Sequence, residues 1–217
     1  MKNLYLVIIA TLAIFEVKSD ELLVKIIDDN GQSVSDIVVY AKPNMEVENL
    51  PVNKETLYIE QKGKKFSPYI AVMQKGQTIN FVNKDDITHH IYSVSGENRF
   101  EFKIKAGVEK VTNPMLVTEE IAMGCNIHDW MSGYALVVDT PYFGKTNKQG
   151  MITFSLPKNA KYEVTAWHPQ LDVKDNRVSQ SITVNHVNLS TIITLPENLL
   201  PLPEQTGQDE FDFIEEY

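Results

Sequence analysis

The chain has 217 residues, 43% of them hydrophobic, with 20 basic against 29 acidic side chains and a net charge of −9. That is enough chain for one large or two small domains with real cores, and the acidic balance disfavours nucleic acid and anionic membranes as partners. With Cys125 the only cysteine, an internal disulfide is excluded.

Met1, Lys2 and Asn3 form a short basic start, and Leu4 to Phe15 is an almost unbroken apolar run followed by the compact residues Val17 and Ser19. That order predicts a cleaved export signal over residues 1–19, with the cut before Asp20. The apolar run is about a dozen residues, short of the roughly 20 that span a bilayer, so no membrane span is expected once the signal is removed. The expected compartment is the periplasm. A lone cysteine in an oxidising compartment calls for a reason, and a metal ligand is one.

After the signal the chain reads as strand after strand. Residues 22–28 lead into the turn residues Asp29, Asn30 and Gly31, and 37–41 is a β-branched run. Residues 43–55, with Pro43, Pro51 and Asn53, read as a loop. Short runs rich in β-branched and aromatic residues then recur at 57–61, 69–73, 78–83, 90–94, 100–104, 116–123 and 134–138. Such spacing, with turn residues between the runs, predicts an all-β sandwich or barrel. A second set begins near Thr140, with runs at 151–156, 161–167, 178–184 and 189–195 separated by turns such as Lys148-Gln149-Gly150. About 55 residues is marginal for an independent domain, so this unit is expected to pack on the first. From residue 197 prolines and acids replace the strand pattern. Phe211, Phe213, Ile214 and Tyr217 stand among five acidic residues, and the segment reads as a mobile, solubilising tail. The expected organisation is therefore a signal at 1–19, a β-domain at 20–139, a smaller one at 140–196 and an acidic tail at 197–217.

The chemistry concentrates in Gly124-Cys125-Asn126-Ile127-His128-Asp129-Trp130-Met131-Ser132-Gly133, expected to be a loop between two strands. A thiolate, an imidazole and a thioether at three-residue intervals suit a soft metal. Type-1 copper takes two imidazoles and one thiolate in a near-trigonal plane, with a weak axial sulfur. Zinc also accepts Cys and His, but the thioether and the Irving–Williams order favour copper. The second imidazole must come from elsewhere, and His89 and His90 follow the strand-and-turn pattern Phe81-Val82-Asn83-Lys84-Asp85-Asp86. If His90 opens a strand, the pair faces opposite ways and only one reaches the metal. Met115 and Met123 are further soft side chains, the latter expected in the core. Asp85 and Asp86 read as turn chemistry, His168 and His186 as surface residues, and Tyr162 and Trp167 as packing.

Phe81-x-Asn83 followed by His89, together with the C-x2-H-x2-M arrangement at Cys125, His128 and Met131, resembles the cupredoxins over about residues 22–139, amicyanins and plastocyanins in particular. The resemblance implies a Greek-key β-sandwich holding one type-1 copper ion, with His89, Cys125 and His128 as ligands and Met131 in the axial position. It implies that His90 sits where those families have an asparagine whose backbone N–H bonds the metal-bound sulfur. The C-x2-H-x-W-M string followed by Gly133-Tyr134 is similar to bacterial cupredoxin-like proteins called methylamine utilisation proteins. Residues 142–195 resemble a small transthyretin-like, or carboxypeptidase-regulatory-like, β-sandwich. Two departures stand out: Ile127 and Asp129 flank His128 where amicyanins carry prolines, and Trp130 could cover the metal or belong to a docking patch.

The function so implied is a one-electron carrier between periplasmic redox proteins, with copper capture and delivery, or a metal-free scaffold, as the rival readings. The edge of His128, flanked by Ile127, Trp130 and Met131, is the expected electron port. No catalytic residues are expected: five histidines and one cysteine cannot build a trinuclear copper cluster beside a blue site, and no nucleophile-elbow, zincin or phosphate-loop motif occurs.

Overall fold

The computed structural model describes residues 19–44, 50–185 and 189–205. The expected signal up to residue 18, His186 and the tail beyond 205 lie outside them. Among the described residues the chain is all-β apart from a 3-10 turn at Lys174–Asn176. The strands are, in order, β1 (Ser19–Ile27), β2 (Val38–Pro43), β3 (Leu57–Gln61), β4 (Phe66–Ser67), β5 (Ile70–Gln74), β6 (Ile79–Asn83), β7 (His89–Ser93) and β8 (Phe100–Ile104). They continue with β9 (Glu109–Val111), β10 (Glu120–Cys125), β11 (His128–Val138), β12 (Phe143–Lys145), β13 (Met151–Pro157), β14 (Ala160–Trp167), β15 (Arg177–Val184) and β16 (Leu189–Thr194).

Two sandwiches result. One packs the sheet β13-β1-β16 on the sheet β12-β2-β14-β15. Its core comes from strict alternation: Leu22, Val24 and Ile26 of β1 face Val39 and Ala41 of β2 and Tyr162, Val164 and Ala166 of β14, all fully buried. The other packs β5-β11-β10-β7-β8 on β4-β3-β6-β9, around Ile59, Phe81, Ile91, Ile121, Met123 and Val137.

The expectation of one unit over 20–139 groups β1 and β2 with the strands that follow them. Their hydrogen bonds go elsewhere. β1 runs antiparallel to β13, with Leu22 opposite Phe154, and parallel to β16, with Leu22 opposite Leu189; β2 lies antiparallel between β12 and β14. The sandwich that carries Cys125 is thus threaded between β2 and β12 of its neighbour. Alternation tells which face of a strand is buried, not which strand lies beside it, and that is why chain order misassigned these two.

The sandwiches share an apolar seam. Val38 and Trp167 of one meet Ile70, Leu136 and Val138 of the other, with Tyr40, Tyr69 and Tyr134 at the margin. Polar ties cross the same seam: Gln170 Nε2 donates to the Tyr69 hydroxyl at 3.1 Å, and Lys42 pairs with Asp139 at 2.6 Å. No helix of the described residues is long and apolar enough to cross a membrane.

Candidate metal centre

The site is assembled at one end of the five-stranded sheet by a turn and a hairpin. The turn comes first. Asn83 ends β6 and is buried; its Nδ2 donates to the carbonyls of Ile87 (2.8 Å) and Ile104 (3.0 Å), and its Oδ1 accepts the Asp85 N–H (3.0 Å). One amide side chain thus fixes the whole 83–89 connection, which accounts for the Phe-x-Asn pattern. β7 opens at the end of it, and its alternation buries His89 while leaving His90 on the outer face. His90 turns away to Glu101 (2.7 Å) and Asn126 (3.1 Å).

The hairpin brings the other donors. Cys125 closes β10 and pairs directly with His128, the first residue of β11, so the expected loop is a two-residue turn of Asn126 and Ile127. The register then jumps: Gly124 pairs with Ser132, leaving Asp129, Trp130 and Met131 as extra residues on β11. A bulge of this kind re-aims side chains, and it turns Met131 inward. Met131 is buried in the same apolar cluster as Cys125, Met123 and Met115.

His89, Cys125 and His128 converge, with their potential ligand atoms all within 4.8 Å of one another. The Nδ1 atoms of His89 and His128 lie 3.7 and 3.8 Å from Cys125 Sγ. Metal–nitrogen bonds of about 2.0–2.1 Å and a metal–sulfur bond of about 2.3 Å put N and S about 3.7–3.8 Å apart at a trigonal angle and about 3.5–3.6 Å apart at a tetrahedral one. The observed spacing is that of two nitrogens and a sulfur able to share one metal ion, as type-1 copper requires. The donors are buried, at 0%, 4% and 8% exposure for His89, Cys125 and His128. The two imidazole rings stand 5.2 Å apart, and the Trp130 ring lies 5.2 Å from His128.

Electrostatics complete the picture. Burial by itself pushes the Cys125 thiol up. The hydrogen bond with His89, the backbone N–H groups of Ile127 and His90 and the charge of His89 outweigh it and bring the thiol below its ordinary range. The thiolate, the form that binds metal, is thereby made easier to form. The main-chain donor at His90 is the one that the family resemblance implies. Asp85 supplies a further element. Its Oδ2 lies 2.8 Å from His89 Nε2, so the Nε2–H donates outward to Asp85, and Nδ1, which faces the Cys125 sulfur, becomes a ligand once it gives up its proton. Asp85 is itself held by the N–H groups of Gly63 (2.6 Å) and Lys64 (3.0 Å), both residues at positive φ. Burial opposes its ionisation, yet those donors and His89 hold the carboxyl below the usual carboxylate range.

Sequence reading missed Asp85 as part of the centre. The only signal was an acid four residues before a candidate ligand, which turn chemistry explains equally well. The expected port needs correction as well: Met131 is 1% exposed and cannot form part of an outer patch, while Ile127 is 52% exposed. Trp130 lies against His128, and Met115 and Met123 are core residues.

Comparison with protein families gives no match, and comparison with curated proteins gives none. Among solved structures the chain is similar to a Cu-containing nitrite reductase from Thermus scotoductus SA-01, with 21% identity over 45% of this chain and 25% of that chain, at a TM-score of 0.37. It is similar to a purple cupredoxin from Nitrosopumilus maritimus, with 19% identity over 38% of this chain and 99% of that one, at 0.33. The third is an amicyanin variant in its Cu(I) form, with 16% identity over 46% and 99%, at 0.36. The chain thus spans a quarter of the reductase, and each likeness covers less than half of this chain. The chemistry assigned below rests on the donor set alone.

Proposed function

We propose that the chain is a one-electron carrier built around a type-1 copper ion held by His89 Nδ1, Cys125 Sγ and His128 Nδ1, with Met131 as the weak axial sulfur. The observation that carries this reading is the convergence of two imidazole nitrogens, at 3.7 and 3.8 Å, on a buried, hydrogen-bonded sulfur. Copper bound there would supply a Cu(II)/Cu(I) couple. The chain's own residues do the rest. Asp85 aims His89, the Cys125–His128 pair fixes the separation of thiolate and second imidazole, and the surrounding core excludes water. Donors held this firmly move little when an electron arrives, which suits transfer. Delivery of copper to a partner calls for donors that a partner can reach, and none of these three is more than 8% exposed.

Trp130, which lies against His128, and the exposed Ile127 beside it in the chain would be the apolar surface through which electrons pass, and a periplasmic redox protein is the proposed partner. The proposed compartment is the periplasm, in keeping with a lone cysteine reserved for metal. No catalytic step is assigned to the chain. The transthyretin-like resemblance of residues 142–195 is kept as a proposal that this sandwich is a structural support for the copper-binding one.

The test is to add one equivalent of Cu(II). The expected result is an intense visible thiolate-to-copper band with narrow copper hyperfine splitting, bleached reversibly on reduction. Cys125→Ser should abolish the band, and His90→Ala should retain it. A folded but colourless copper complex would sink the proposal, and colour surviving in Cys125→Ser would sink the ligand assignment.

A further inference from the structure

Asp85 brings a charge to the centre as well as an acceptor. Its Oδ1 accepts the Gly63 N–H at 2.6 Å; its Oδ2 accepts the Lys64 N–H at 3.0 Å and lies 2.8 Å from His89 Nε2. N–H donors on both oxygens favour the ionised carboxyl. At 11% exposure the side chain is largely cut off from water, which therefore screens it little. The cations of the neighbouring turn are not sheltered in this way: Lys62, Lys64 and Lys65, between β3 and β4, are exposed, and Lys84 pairs with Glu60. Asp129, which follows His128 in the chain, is exposed too, and water screens its charge.

The Cys125 sulfur stands beyond the other nitrogen of the same ring, 3.7 Å from His89 Nδ1. One imidazole therefore lies between a carboxylate and the group that binds metal as a thiolate. Together the two anions carry two negative charges, and neutral imidazoles add none. A divalent ion cancels that pair, whereas a monovalent ion leaves one negative charge over. Without the carboxylate the order reverses, and the monovalent ion gives the neutral centre. The difference counts because His89, Cys125 and His128 are at most 8% exposed, and an uncompensated charge in such a place is costly. The N–H bond to a carboxylate also makes the imidazole a more basic ligand, which favours the higher charge on the metal.

We propose that the charge of Asp85 sets which oxidation state the centre prefers: it stabilises Cu(II) over Cu(I) and lowers the reduction potential, so that the reduced chain is a readier electron donor to its partner. This rests on the type-1 copper reading above. Asp85 acts through His89 and is a positioning residue, not a ligand. Its charge is distinct from its aim. Loss of aim loosens the metal in both oxidation states alike, whereas loss of charge weakens Cu(II) and spares Cu(I).

The experiment measures Cu(II) and Cu(I) affinities by competition with a chelator for each, together with the midpoint potential, in the native chain and in three variants. Asp85→Asn keeps an oxygen for the His89 N–H and removes the charge. Its Cu(II) affinity should fall about 10–100-fold while its Cu(I) affinity holds, and each tenfold change in that ratio raises the potential by about 59 mV. Asp85→Ala removes charge and aim together and should raise the potential as well, with Cu(I) weakened in addition. Asp129→Asn should leave the potential in place. Affinities that fall alike for Cu(II) and Cu(I), with an unmoved potential in both Asp85 variants, would overturn the inference and leave the blue site standing. A rise as large in Asp129→Asn would overturn it too. A native chain that takes up copper without the blue band would overturn the copper reading, and this inference with it.

Discussion

His89 offers a metal one nitrogen, and Asp85 decides which one by accepting the N–H of the other. Asp85→Ala should leave the fold in place and weaken copper binding by about 10–100-fold, the usual cost of removing the partner of a ligating histidine; competition with a chelator of known affinity measures it. His168 is the opposite case, a histidine that the structure keeps neutral. Expected at the surface, it is 4% exposed, and its Nδ1 accepts the Gln170 N–H at 3.2 Å. Burial brings its pKa down from 6.5 to about 4, with Asp36 opposing and Lys145 adding to the effect. A depressed histidine means that the unfolded chain takes up the proton first. Its contribution to stability is therefore complete above about pH 6.5, falls as the pH drops toward about 4, and is level below that. The loss amounts to at most about 3 kcal/mol. Urea unfolding between pH 7 and 4 should show this slope in the native chain and a shallower one in His168→Gln; parallel slopes would refute it.

At the scale of elements, the hairpin β10–β11 and its bulge make the centre, because they convert a three-residue spacing in the chain into three inward-facing side chains. A second local device holds the neighbouring sandwich to its first strand. Gly150, at φ +69°, turns the chain into β13, and its carbonyl accepts the Ile26 N–H at 2.8 Å. A Cβ on it would stand 2.6 Å from the Ile26 carbonyl oxygen. Gly150→Ala combines the left-handed backbone with that backbone clash and should cost about 2–3 kcal/mol, read as a lower urea midpoint with an unchanged slope. Most strands of five residues or more were legible, because alternation persists long enough to be seen. β4, β9 and β12, at two or three residues, carry no readable period. β10 and β11 run closer to each other than expected, because the glycines and polar residues around Cys125 looked like a loop while the ladder continues through them.

For the whole molecule, the consequence of threading one sandwich through the other is that neither β1 nor β2 has a partner before residue 140 is made. A fragment of residues 20–139, a complete unit by chain order, should leave Leu22, Val24 and Ile26 without their facing sheet. It is expected to aggregate, or to show disordered signals for β1 and β2 by NMR. A well-dispersed spectrum for all of 20–139 would contradict the pairing. The seam through Trp167 adds to this dependence, since a large aromatic side chain buried between the two sandwiches contributes to both.

What the sequence by itself determined was local: the all-β class, most strands, the donor types and their spacing at Cys125, His128 and Met131, and that His89 and His90 face opposite ways. Each is a consequence of period-2 alternation or of residue chemistry within a few positions. Tertiary structure alone decided the rest: the pairing of β1 and β2 with strands more than 100 residues away, the burial of His168, the approach of two Nδ1 atoms to one sulfur, and the role of Asp85. Strand partners are chosen by the fit of whole faces across space, and a proton on a ring nitrogen is fixed by whichever acceptor folding brings beside it. Neither leaves a periodic mark on the chain.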